Sequence, residues 1–151
     1  MKIVNENNGQ PIYHLIAILE DAKNGYLSAA EKIRDEVLSL LFEKLGYQKI
    51  SYINELRRVA KQSGFSSAID QFTLSLLHRT WMDMKSAFRF GQRDAAIRAC
   101  IKGEEKALMN YTEAIEQIKN NDDVKMVLEQ QAYGIKSALH TIKEYTVAGN
   151  C

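Results

Sequence analysis

The sequence predicts an all-α protein, a four-helix bundle with a helical crossover between helices 2 and 3. Three observations carry that prediction. Proline occurs once, at position 11, so little downstream breaks a helix. Apolar residues recur at alternating three- and four-residue steps through four long stretches, the period of a helix with one buried face. Two of the gaps between those stretches are short, which forces antiparallel neighbours, and the third is long.

Residues 1–10 are polar and rich in asparagine, and predict a flexible N-terminal arm. A single domain then fills 11–146, with a flexible tail at 147–151. Pro11 suits the first turn of helix 1, where its missing N–H is not needed. The seam of helix 1 is Leu15, Leu19, Ala22, Tyr26, Ala29 with Ala30, and Ile33. Asp35 is placed to cap helix 2, whose inner face carries Leu38, Leu41, Phe42, Leu45, Tyr52, Leu56 and Val59. Gln48 or Lys49 interrupts that face at its middle, and Gly64 closes the helix as its C′ residue.

The connection that follows is too long for a hairpin and too apolar for a disordered linker. It predicts a crossover helix at about 67–89, with Ile69, Phe72, Leu76, Leu77, Trp81, Met84 and Phe88 on one side. Helix 3, at 93–118, turns Ile97, Cys100, Ile101, Leu108, Tyr111, Ile115 and Ile118 inward. After a turn at Asn120 and Asn121, Asp122 is the expected cap of helix 4. That helix buries Val124, Val127, Leu128, Ile135, Ala138, Ile142 and Tyr145.

Two seams carry a polar residue where a core residue belongs. Glu104 lies four residues after Cys100 and four before Leu108, and Gln131 interrupts helix 4 in the same way. With Gln48, these residues predict a polar layer, for which Tyr26, Tyr52 and Tyr111 are the available partners. A buried carboxylate must be hydrogen-bonded or neutralised, because desolvation disfavours its charge. A Glu–Gln–Tyr network, a partly exposed Glu104, or a ligand or metal site would each meet that demand. Gly25, Gly46, Gly103 and Gly134 each fall inside a predicted helix, at about 1 kcal/mol apiece relative to alanine. Close helix packing or a pocket explains such placements.

A bundle with one long crossover is the ferritin-like arrangement, whose di-iron members carry Glu-x-x-His pairs. The histidines here, His14, His78 and His140, follow Pro11, Ser75 and Ser137 at that spacing, so the motif is absent. No cofactor is expected, and a di-iron centre least of all. The segments GYLSAAE and LHRTWMDMK, the KGEEKAL pattern with its later Tyr111, and the fourth helix with Gln131 resemble an uncharacterised bacterial family of ferritin-like four-helix-bundle domains. The likeness runs from about Ile12 to Tyr145. It implies a ferritin-like bundle in which the di-iron ligands are not kept. By position, Lys49 and Tyr52 then stand where a rubrerythrin-like helix 2 would carry its Glu and His.

The crossover is the other stretch with chemistry in it. His78, Arg79, Trp81, Met82 and Lys85 combine cationic, aromatic and thioether side chains of the types enriched at protein interfaces. They are interface candidates, most simply for a two-fold copy of the chain. His78 has no nucleophile or acid at helical spacing to make it a general base. There is no G-x-S-x-G motif and no P-loop, and Cys100 reads as a small core residue.

Composition narrows the rest. Over 151 residues, 20 basic and 19 acidic side chains interleave to a formal charge of +1, against a nucleic-acid or anionic-membrane binder. Two cysteines and no apolar signal core at the N-terminus predict a cytoplasmic protein without disulfides. The function expected is therefore non-enzymatic: interaction or homo-oligomeric assembly. The alternative is a metal- or small-ligand-binding redox or stress protein with a reduced site around Glu104 and Gln131. A carrier of an apolar ligand between the glycine-bearing helices is a third.

Overall fold

The computed structural model describes the backbone of residues 3–65 and 93–148, and the side chains of 9–65 and 93–145. Among them are four helices: α1 (Ile3–Lys32), α2 (Glu36–Gln62), α3 (Arg93–Gln117) and α4 (Asp122–Ala148). They form an all-α four-helix bundle. The predicted crossover helix at 67–89 lies outside the described residues, as do the interface candidates His78, Arg79, Trp81, Met82 and Lys85.

Short turns join α1 to α2 and α3 to α4, so each pair is an antiparallel hairpin. Asp35 caps α2 as the sequence suggests, its Oδ1 accepting from the Val37 and Leu38 amides at 3.0 and 3.1 Å. The same residue reaches across the bundle, where Arg93 Nε donates to its Oδ2 at 3.2 Å. α2 ends in a Schellman motif: the Phe65 amide bonds the Ala60 carbonyl and the Gly64 amide the Lys61 carbonyl. Gly64 has φ +74°, which glycine adopts without penalty.

The backbones of α2 and α3 do not approach each other, so the two helices lie on a diagonal and meet only through long side chains. Asn121 on the way into α4 donates to Ser63 at the end of α2, while Arg93 at the start of α3 meets Asp35 at the start of α2. The chain therefore leaves α2 at one end of the bundle and enters α3 at the other.

Three local expectations are corrected. α1 starts at Ile3 and runs through Pro11 rather than beginning there. The proline removes one amide donor, but Gly9, Pro11 and Ile12 are buried, and Gly9 packs so closely on Phe65 that an added Cβ would come within 3.2 Å of it. Tertiary burial overrides the breaker. Asn121, not Asp122, caps α4, its Oδ1 accepting from the Val124 amide at 3.1 Å. α4 itself continues to Ala148, past its expected end near Thr146.

The interior is two apolar clusters stacked along the axis. One gathers Leu15, Leu19, Ile53, Leu56, Tyr111, Leu128 and Ile135, the other Ala22, Tyr26, Leu38, Phe42, Ile97, Cys100 and Ile142. On α2 Lys49 falls between Leu45 and Ile53, and on α3 Glu104 falls between Cys100 and Ala107. The bundle thus has a polar waist.

Candidate functional site

The waist is built from three helices. Helical spacing sets Lys49 in line with Phe42, Leu45, Ile53 and Leu56, so a lysine occupies a core position of α2. Its ammonium donates to Glu104 Oε1 at 2.9 Å and to Gln48 Oε1 at 2.8 Å. Tyr26, from α1, donates its hydroxyl to Glu104 Oε2 at 2.5 Å. Both side chains of the Lys49–Glu104 pair are 1 % exposed. The Tyr26 ring lies 5.8 Å from the ammonium by its centroid and packs on Phe42 at 5.9 Å.

Both oxygens of Glu104 are therefore engaged, one by a cation and one by a short phenol bond. Burial pushes the Tyr26 phenol well above its ordinary range, with the Glu104 charge and Cys100 adding to it, so the hydroxyl keeps the proton it donates. Burial also pushes the Cys100 thiol up, the Glu104 carboxylate adding to it against the opposing pull of the Tyr26 bond and Lys49. A thiol held in its protonated form is a poor nucleophile.

Gln131 belongs to a second cluster, inside the other core. Its Oε1 accepts from the Tyr111 hydroxyl at 2.6 Å, while its Nε2 donates to Glu55 at 2.7 Å and to the Tyr52 carbonyl at 3.3 Å. Burial raises the Tyr111 phenol well above its usual value, and Tyr52, Glu104 and Glu55 add to this. Tyr52 is raised by burial, then by Glu55 and Glu104. The residues singled out in the sequence are thus divided. Glu104, Tyr26 and Gln48 meet at the waist, Gln131, Tyr111 and Tyr52 a turn or two away.

Sequence reasoning left Lys49 and Glu55 out of the layer. The signal for Lys49 was present, since three- and four-residue steps from Phe42 and Leu45 arrive at 49 as readily as at 48. Lysine is seldom fully buried without a partner, and here Glu104 and Gln48 are the partners that make it possible.

Two of the helical glycines, Gly46 and Gly134, make room for side chains of the protein itself. A Cβ on Gly46 would come within 2.6 Å of Leu27 Cδ2, and one on Gly134 would overlap the Tyr52 hydroxyl. No group of three or more His, Cys, Asp or Glu suited to a metal occurs among the described residues. At the waist the donors are one carboxylate, one amide and one neutral phenol, with an ammonium in their midst. That set does not fit a di-metal centre, which needs several carboxylates or imidazoles.

Two surface hollows stand out among the described residues. One of about 300 Å³ lies between α1 and α3, lined by Gln10, His14, Asn110, Glu113 and Gln117. His14 Nε2 lies 2.9 Å from Asn110 Oδ1, and Asn110 Nδ2 donates to the Lys106 carbonyl, so the histidine Nε2 carries hydrogen. The other, of about 310 Å³, is a groove between α2 and α4 over Leu41, Lys44, Leu45, Gln48, Gly134 and Ala138. Among the described residues no helix is long and apolar enough to cross a membrane.

Compared with known proteins, residues 10–117 match the family described as "Domain of unknown function (DUF2383)", a span that takes in most of α1 and all of α2 and α3. No curated protein matches the chain.

Proposed function

This chain belongs to the DUF2383 family, whose description assigns no activity, and from that premise we propose that it is a non-enzymatic, ferritin-like bundle acting by association, with a second copy of itself as partner. The observation that carries this reading is the outer face of α2 and α4. Leu40 and Tyr47 on α2, and Met126 and Tyr133 on α4, are each more than half exposed. Each pair is spaced seven residues apart, so it lies on one side of its helix, opposite the core positions. Between the same two helices runs the groove over Leu41, Leu45 and Ala138.

Size and charge both suit a second copy. Two helices of 27 residues each are about 40 Å long and together about 20 Å wide, a face on the order of 800 Å², the area per partner of a standard interface. Exposed Glu36 and Glu144 lie at one end of it, and Arg58 with Lys61, beside Asp122, at the other. A two-fold axis across the helices sets each end against its opposite and each protruding tyrosine against the other copy's groove. The diagonal step from α2 to α3 supports the ferritin-like part of the reading.

The competing reading, a reduced metal or redox site at Glu104 and Gln131, finds little support. Both Glu104 oxygens are already bound, and Gln131 sits in a separate cluster. Sedimentation velocity from low to high micromolar tests the proposal. Wild type should sediment as a dimer, and Tyr47→Glu with Tyr133→Glu should give a monomer of unchanged helical content. A wild-type monomer throughout, or a double variant that still pairs, would overturn it.

A further inference from the structure

The groups around the Lys49 ammonium make a cation site in their own right. Glu104 Oε1 and Gln48 Oε1 lie 2.9 and 2.8 Å from the nitrogen, and the Tyr26 ring lies within cation–π range. The second Glu104 oxygen is fixed by the Tyr26 hydroxyl, which leaves the first aimed at the cation. All of this sits between two apolar clusters, where an unbalanced charge is most costly.

Charge decides what such a site accepts. Lys49 and Glu104 are the two buried charged residues among those described, and they sum to zero. A divalent ion in place of the ammonium would leave a net positive charge at the waist. It would also meet one carboxylate and two neutral oxygens, where divalent metals take several carboxylates or imidazoles.

We propose that Glu104, Gln48 and Tyr26 form a monovalent-cation cage whose resident cation is the chain's own Lys49 ammonium. The side chain does at the waist what a bound metal does in other bundles: it neutralises the buried acid and ties α2 to α3. The ligand class is a small primary ammonium ion, and divalent metals are excluded by charge. This goes beyond the self-association proposed above and does not depend on it.

Chemical rescue tests it. Lys49→Ala removes the tethered cation and leaves room for its stem, so n-propylammonium chloride should raise the melting temperature of that variant in a saturable way, by about 5 °C or more at high occupancy. Tetramethylammonium chloride at equal ionic strength, manganese chloride and zinc chloride should not. Lys49→Ala with Glu104→Gln, which has no buried charge, should fold more stably than Lys49→Ala alone and ignore the amine. Wild type should show no saturable shift with manganese or zinc. A rescue by divalent metal equal to that by the amine would overturn the proposal. So would a wild-type shift reversed by chelator, an amine response that survives Glu104→Gln, or no amine response in a folded Lys49→Ala protein.

Discussion

The Tyr52 hydroxyl occupies the space in which any residue other than glycine at 134 would place its Cβ. The contact joins α2 to α4 beside the Gln48 amide, whose Nε2 lies 3.5 Å from the Gly134 carbonyl. Glycine inside a helix costs about 1 kcal/mol, and here that cost admits a half-buried phenol between two helices.

Gly134→Ala should therefore destabilise the bundle by about 2 kcal/mol or more despite its better helix propensity. Tyr52→Phe in the same chain should recover part of the loss, because the ring carbon beneath the hydroxyl would lie 3.2 Å from the new methyl and need shift only slightly. Gly46→Ala should cost less, since the obstructing atoms are the end of the flexible Leu27 side chain. Urea denaturation of the variants checks the order.

Breaking the buried ion pair from either side should be expensive. Lys49→Met leaves a carboxylate in the core and Glu104→Leu leaves an ammonium, and each should lose about 3–5 kcal/mol. The double variant should be far more stable than the sum of the two losses predicts, because no charge remains buried. A double-mutant cycle in denaturant measures the coupling, and additive losses would show that the pair is not one unit.

Alkaline pH should unfold the protein through its tyrosines. Tyr26 and Tyr111 are held above the ordinary phenol value of about 10 in the fold. Groups raised in this way contribute their full stability below that value and lose it as pH climbs from there toward the folded-state value. The melting temperature should fall above about pH 10, and the tyrosinate absorbance of these two residues should appear with unfolding rather than before it. A smooth titration of all tyrosines in the folded state would contradict this.

Cys100 should resist thiol reagents for as long as the bundle stays closed. It is fully buried and its thiol is pushed up by burial. In a Cys151→Ser background, modification by a disulfide reagent should proceed at the rate of opening, and should accelerate in Lys49→Met.

Much of this architecture was legible in the sequence. The seams of Leu15 to Ile33 and of Leu38 to Val59 follow from spacing alone, and the Asp35 cap and Gly64 stop follow from backbone chemistry. Glu104 and Gln131 stood out as polar residues on apolar stripes. What spacing cannot supply is pairing across helices. Whether Glu104 met a lysine, a glutamine or water depends on which turn of α2 lies beside it, a property of hairpin register and not of either helix. The start of α1 failed for a related reason. Local chemistry at Pro11 argues for a boundary, while the burial of Gly9 against Phe65, more than fifty residues away, argues for continuity and prevails.

Lys49 belongs to the α1–α2 hairpin and Glu104 to the α3–α4 hairpin. Neither half of the molecule can therefore be self-sufficient. An isolated hairpin, whatever its helicity, would turn its apolar seam to water, with a charge in the middle of it that only the other half can match. Fragments split within the long connection should remain soluble and loosely ordered apart, and should tighten only on being mixed.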